Sequence, residues 1–286
     1  MLANRLFGGR WSRAWLLSPL LLSGATPLRA DSIEGFEPAP EGIGARAVAV
    51  QAANVMRSDR TYIEAEMTIQ FPRTSKPRVV TFQFWDDRTE NRSFIRILAP
   101  DEDAGTAFLK LRPNLWGFLS REERTLRIQP SMMLQSWMGS GFTSDDLFNP
   151  MSVIENYHHT LLGVDPNPDG TNGLRAYVVE YLPRKTTSIL WGRILGWIET
   201  EHGTPIRQEF YDSDGEQLRT IRFGSVRKVD DRRIPHVWTL TTHGKKIGRT
   251  TVEIRELRFD EHFDDEIFST RNLKAGIPGA GLEESP

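Results

Sequence analysis

The chain has 286 residues, 36 Lys and Arg against 38 Asp and Glu, a formal net charge of −2 and no cysteine. A near-neutral balance argues against a nucleic-acid partner, which calls for a basic surface. Zero Cys excludes disulfides, thiolate metal sites, thiol nucleophiles and a lipid-modified N-terminal cysteine, while the length still fits one all-β sandwich or barrel.

Residues 1–30 read as a secretory signal peptide. Arg5, Arg10 and Arg13 precede an apolar run from Ala14 to Leu22, and small residues follow at Ser23-Gly24-Ala25 and Leu28-Arg29-Ala30. Basic, apolar and small-residue regions in that order mark export, and the run is too short to span a bilayer as a helix. Cleavage is expected after Ala30, with Ala25 the alternative. The segment holds four Arg and no acid, so the remainder carries 32 basic and 38 acidic residues, or −6. An exported chain without Cys fits a soluble protein of the bacterial periplasm.

A flexible leader is expected over 31–42, where Gly35, Pro38, Pro40 and Gly42 fall. From 43 to 58, Ala47, Val48, Val50, Ala52, Val55 and Met56 are spaced for one helical face. Strands follow. Between 61 and 70, Ile63, Ala65, Met67 and Ile69 alternate with Tyr62, Glu64, Glu66 and Thr68, the period of a strand with one buried face. A turn over 72–77 leads into 78–85, with Val80, Phe82 and Phe84 on one face. Segments 91–98, 106–112, 115–120 and 125–128 continue the series. Such short connections suit a meander of hairpins rather than crossover helices.

The pattern breaks between 129 and 157, where three of the seven Met fall within 132–138. Flexible thioethers there suit irregular apolar space. Ser144-Asp145-Asp146 resembles a helix start, with a small polar cap and acids in the first turn. Strands resume over 157–162, 175–181, 195–201, 205–211, 218–226, 233–242 and 246–259. Asp212-Ser213-Asp214-Gly215 and His243-Gly244 supply turn chemistry between them. A disordered tail is expected over 274–286. About thirteen strands and two or three helices imply one strongly curved sheet or an open barrel over 43–273.

No catalytic constellation emerges. Asp165-Pro166-Asn167-Pro168-Asp169-Gly170 opens like a calcium loop, but Ala176 occupies the position of the bidentate Glu. Gly139-Ser140-Gly141 lacks the outer glycines of a nucleophile elbow, since Met138 and Phe142 flank it. The six His show no metal-binding spacing; His158 and His159 alternate in a strand and point to opposite faces. Glu199 and Glu201 share a strand face and read as an exposed acidic stripe. Neither an enzyme, a metal nor a cofactor is expected. The apolar inventory says more: Phe82 with Phe84, Trp116 with Phe118 and Trp238 with Leu240 alternate along strands, and parity sends Ile198, not Trp197, away from the acids. One face therefore reads as greasy and the other as charged. That pattern alone fits a filled core or a cavity, the filled core being simpler.

Residues 58–273 resemble the LolA-like outer-membrane lipoprotein-sorting proteins, in a branch of uncharacterised periplasmic relatives. The stretches in order are Gly105-Thr106-Ala107-Phe108-Leu109-Lys110, then Leu115-Trp116-Gly117-Phe118-Leu119, then a basic segment at Arg124 to Arg127. A block containing Gly139, Ser140, Phe142, Thr143 and Asp146 follows, then Tyr211-Asp212 with Gly215, and a closing Asp265-Glu266-Ile267-Phe268-Ser269. The chain departs from the branch pattern at Gly141 and at Gly117-Phe118. The resemblance implies a mainly β fold, an open half-barrel whose helices plug the mouth and whose concave face receives acyl chains. It implies a non-catalytic periplasmic carrier of lipid or lipoprotein acyl chains toward the outer membrane, monomeric, with an inner-membrane transporter as a possible donor. The other reading is an accessory or sensory binding module of a membrane-transport complex, with a protein partner. Phe82, Phe84, Phe94, Trp116, Phe118, Ile198 and Trp238 are the expected apolar lining, and the 43–58 helix and the 132–138 segment are candidate lids.

Overall fold

The computed structural model describes residues 35–71, 76–170, 173–184, 191–244 and 248–275. The predicted signal peptide, the first residues of the leader, residues 72–75 of the first turn and residues 276–286 of the tail lie outside the described residues. After helix α1 (Ala45–Asn54), six strands follow: β1 (Arg60–Gln70), β2 (Arg78–Asp87), β3 (Arg92–Ala99), β4 (Ala107–Leu111), β5 (Asn114–Leu119) and β6 (Arg124–Ile128). The segment from 129 to 156 carries a single 3₁₀ turn (Pro130–Met132) and the short helices α2 (Ser144–Phe148) and α3 (Ser152–Glu155). Seven more strands complete the sheet: β7 (Tyr157–Asp165), β8 (Ala176–Pro183), β9 (Arg193–Glu199), β10 (Pro205–Tyr211), β11 (Gln217–Val229), β12 (Arg232–Thr242) and β13 (Gly248–Phe259). A 3₁₀ turn (Asp265–Phe268) and α4 (Thr270–Ala275) close the described chain. No helix among the described residues is long and apolar enough to cross a membrane.

All thirteen strands form one antiparallel sheet in the order β6-β5-β4-β3-β2-β1-β13-β12-β11-β10-β9-β8-β7. β1 and β13, the first and last strands, pair at its middle. β6 and β7, consecutive in the chain, are its two outer edges, so the 129–156 segment must travel from one edge to the other. It does so across the inner face, where Trp137, Phe142, Phe148 and Ile154 are buried in the same cluster as residues of β1 to β5 and β7 to β13.

The sheet curls around this plug. Lys110 on β4 donates to the Phe148 carbonyl at 2.6 Å, and Arg219 on β11 donates to Asp146 at 2.7 and 2.8 Å. β4 and β11 stand six positions apart in the strand order, roughly 29 Å on a flat sheet at the usual strand spacing. Two side chains and one helical turn cannot bridge that distance, so the strands must bend toward each other. Burial of the plug's rings and of the greasy sheet face supplies the driving force.

The outer face differs from the expectation that it is charged throughout. Its middle is charged, with Glu66, Glu253 and Arg255 in one ion-pair group. Toward β5, however, Tyr62, Trp85, Phe94, Ala107 and Leu109 form a second cluster, covered by Phe263, Ile267, Phe268 and Leu273. Toward β7, Ala176, Val178, Leu195 and Trp197 form a third, with Phe36 packed on it. The chain ends on either side of the sheet core thus serve as covers. Glu37 exchanges both backbone hydrogen bonds with Val164, at 2.9 and 2.8 Å, so the leader is docked there. Leu273 is buried and α4 runs to Ala275, so the first residues of the expected tail continue a helix.

A plugged apolar cavity and its polar rim

A cavity of about 260 Å³ remains between the plug, α1 and the inner sheet face, just below the ~300–1,000 Å³ usual for ligand pockets. The sheet supplies its floor through Ala65, Met67, Phe82, Val252 and Ile254, and its side through Phe223 and Trp238. α1 supplies Ala49, Ala52 and Ala53, whose small side chains leave the space open, and the plug supplies Leu134, Trp137, Phe142 and Leu147. The helix is amphipathic as its spacing predicts, but it is shorter than 43–58. Gly44 offers no side-chain cap at its start. Its far end yields to a turn in which Ser58 donates its backbone N–H to Thr61 Oγ1 at 3.0 Å.

The plug is pinned by polar chemistry at its centre. Thr143, not Ser144, caps α2: its hydroxyl accepts from the Asp146 N–H at 3.2 Å, and the Asp146 carboxylate accepts from the Thr143 N–H at 2.7 Å. That capping box also holds the carboxylate where both Arg219 nitrogens reach it. The Arg219 side chain is only 2% exposed, and its guanidinium stacks 4.0 Å from Phe210 and 4.3 Å from Trp191. Burial alone would raise the Asp146 pKa. The Arg219 charge and the hydrogen bonds from Arg219 and Thr143 outweigh it and hold the carboxyl below the usual range. Nearby, Gly139 has φ +75°, a conformation glycine adopts freely. Gly141 donates its N–H to Thr250 Oγ1 at 3.0 Å. A Cβ on Gly141 would lie 2.3 Å from a methyl of fully buried Leu240, so any side chain there would have to displace Leu240. Ser140 is buried, its hydroxyl accepting from the Phe142 N–H at 3.1 Å. Gly139, Ser140, Phe142, Thr143 and Asp146 therefore all shape or anchor the plug.

Of the residues expected to line the apolar space, Phe82, Phe84 and Trp238 border the cavity. Ile198 lies in the inner cluster beside it, with Trp197 on the outer face as parity requires. Phe94, Trp116 and Phe118 are corrections: all three pack on the outer face. The cause is register. Trp85 pairs with Phe94, Phe94 with Leu109, and Leu109 with Trp116, and directly paired residues share a face. Trp85 lies one residue from Phe84, so this whole row is opposite Phe84. The missed residues are those of the plug, Leu134, Trp137, Phe142 and Leu147, and the alanines of α1. The apolar spacing of α1 was a usable signal; the path of the plug was not.

The remaining candidate sites resolve into structural bonds. Asp165 accepts from Asn167 N–H and from Trp197 Nε1 at 2.9 and 3.0 Å, and Asp169 is paired with Arg207 and Arg222. Glu199 is a second correction, since it is buried rather than part of an exposed stripe. Its carboxylate accepts from the backbone N–H groups of Glu201 and His202 at 2.8 and 2.7 Å and so closes the β9–β10 turn. Those three side chains come within 4.8 Å of one another, but the bonds they make are turn bonds. His159 lies on the inner side, edge-on to Tyr181, and burial lowers its pKa from the usual value.

At the cavity rim the character changes. Arg57 donates through Nε and Nη2 to Asp86 Oδ2 at 3.0 and 2.8 Å, and both residues border the cavity. Beyond Arg57 lies a second, polar pocket of about 470 Å³. Tyr157 stands deeper, its hydroxyl donating to the Trp191 carbonyl at 3.2 Å and its pKa pushed up by burial to about 12.

Comparison with known proteins agrees with this architecture. The model of a family described as an uncharacterised protein matches residues 89–275, from the β2–β3 turn to α4. A DUF1329 family protein from Desulfovibrio piger is 22% identical, with a TM-score of 0.70 over 80% of this chain and 97% of that one. A domain described as outer membrane lipoprotein-sorting, from Vibrio parahaemolyticus, is also 22% identical, with a TM-score of 0.69 over 80% of this chain and 98% of that one. A LolA superfamily protein from Nitrosomonas europaea is 18% identical, with a TM-score of 0.65 over 81% of this chain and all of that one. No curated protein matches the sequence. The family model covers 187 of 286 residues, and the open thirteen-stranded half-barrel with its plug matches those solved structures in fold: the chain belongs to the family described as an uncharacterised protein and has a LolA-like fold.

Proposed function

We propose that the protein carries acyl chains of a lipid or lipoprotein through the periplasm toward the outer membrane, loading from an inner-membrane transporter and working without catalysis. The observation that carries this reading is the apolar cavity held open between half-barrel, plug and α1. Each CH₂ buried there contributes about 0.8 kcal/mol, so a stretch of chain binds reversibly and can be handed on. Of the two candidate lids, α1 is the moving one. It has no side-chain cap and no charge suited to its helix dipole, whereas the plug is tied by Arg219, Lys110 and the contact of Arg78 with the Met138 carbonyl. Native mass spectrometry of protein purified from the periplasm tests the carrier reading. Co-purified lipid is expected; repeated absence of lipid, together with no binding of fluorescent fatty-acid probes, refutes it.

A further inference from the structure

The polar pocket beyond Arg57 is lined by Arg57, Arg88, Arg232, Asp59, Asp260 and His202. It lies against the C-terminal end of α1 and meets the apolar cavity at Arg57, which borders both. Arg57 is committed to Asp86 in a two-nitrogen contact and forms the partition. The other two guanidinium groups are less committed. Arg88 pairs with Asp59 at 2.9 Å, where the side chains are 42% and 64% exposed, an ion pair that contributes about 0–1 kcal/mol and exchanges readily. Arg232 donates Nη1 to the Arg57 carbonyl at 2.6 Å and stacks 4.4 Å from Phe259. The carboxylate paired with it, on Asp231, stands 3.9 Å away and is 92% exposed, so water screens it. Two guanidinium groups whose paired carboxylates are largely exposed thus face one pocket. Planar guanidinium forks match phosphate oxygens in number and geometry.

We propose that this pocket takes the phosphate-bearing headgroup of a lipid whose chains occupy the apolar cavity, with Arg88 and Arg232 contacting the phosphate. The proposal rests on the carrier reading and specifies its cargo as phospholipid. An apolar cavity that adjoins a partly neutralised arginine pocket at Arg57 has the polarity order of a phospholipid, with chains inside and phosphate at the rim. Asp59 and Asp260 on the same wall keep the pocket from becoming a general anion sink, since they repel a free anion that brings no chain energy of its own.

The test measures displacement of a neutral fluorescent dye from the full-length protein by phosphatidylethanolamine and by diacylglycerol with the same two chains. Wild type is expected to bind the phospholipid at least about tenfold tighter, the effect of one charge-assisted contact. In R88Q/R232Q the ratio is expected to fall to within about twofold while diacylglycerol affinity stays unchanged. Equal affinities in wild type, or an unchanged ratio in the double variant, overturn the proposal while leaving the carrier reading intact. Glycerophosphoethanolamine without chains binding as tightly as the whole lipid also overturns it, because the pocket is then a free-phosphate site. Failure of both lipids to bind refutes the carrier reading itself. Should R232Q melt early, R88Q alone decides the matter and is expected to lower the ratio by about threefold.

Discussion

The contact between Asp146 and Arg219 ties the plug to β11, and its removal measures how the half-barrel is kept filled. Asp146→Asn preserves the side-chain shape but leaves the Arg219 guanidinium, only 2% exposed, without its counter-charge. Removing one partner of a buried ion pair costs about 3–5 kcal/mol. Asp146 is 22% exposed, so the low end, about 3 kcal/mol, applies. Arg219→Met keeps an apolar stem between Phe210 and Trp191 but strands the carboxylate, at about the same cost. The double variant strands neither charge. Its loss is expected to be about 3–4 kcal/mol rather than the sum of about 6, a coupling of about 2–3 kcal/mol. Urea unfolding of the four proteins at neutral pH, with m-values compared, gives the cycle directly. Additivity within about 0.5 kcal/mol would refute the reasoning and leave the plug held by Lys110, Arg78 and the packing of Trp137, Phe142 and Phe148.

Three further outcomes follow from local features. His159 has its pKa lowered by burial, with the charges of Arg46, Arg184 and His158 adding to it. The unfolded chain therefore protonates first, and stability should decline as pH falls below about 6.5 toward the lowered folded value. Thermal melts of His159→Gln between about pH 5 and 7 should show a flatter slope than wild type, and an equal slope would contradict this. Gly163 has φ +149°, and a Cβ there would stand 2.6 Å from the Glu37 carbonyl oxygen. Gly163→Ala should cost more than about 1 kcal/mol and speed hydrogen exchange at the Val164 amide, which Glu37 now accepts at 2.8 Å. Ala53→Phe places a ring in the cavity wall and is expected to weaken dye binding by at least about tenfold while the protein still melts cooperatively; undiminished binding would place the dye elsewhere.

The strands were readable because many alternate with period two and all are short runs bounded by turn residues, and all thirteen lie where that reading placed them to within a few residues. What alternation cannot supply is the absolute face of a strand that is apolar on both sides. On β3, Phe94 and Ile95 are both buried, and only pairing with Trp85 and Phe84 sends them to opposite faces. The outer clusters were hidden for a related reason. Their covers come from Phe36 and from Phe263 to Leu273, segments too short and irregular to carry a period. The plug was visible as a break in the pattern, and its helix start as an acidic first turn. Its route across the sheet is set by Arg219 and Lys110, both isolated charges on otherwise apolar strand faces. An arginine at an inward parity position is a signal of a buried partner, though the partner's identity lies 73 residues away in the chain.

The strand order also governs how the fold is reached. Among the described residues, eleven of the twelve strand pairings join neighbours in the chain, and only β1 with β13 does not. Each arm of the sheet is then a run of hairpins with short loops, which close quickly and cheaply. The seam between the arms is the one slow, long-range closure. Ala65 and Met67 of β1 meet Val252 and Ile254 of β13 at that seam, so the cavity floor does not exist until the last non-local step. A chain-bearing ligand present during refolding would bind only after that step, stabilising the closed seam by mass action and slowing its reopening rather than hastening its formation.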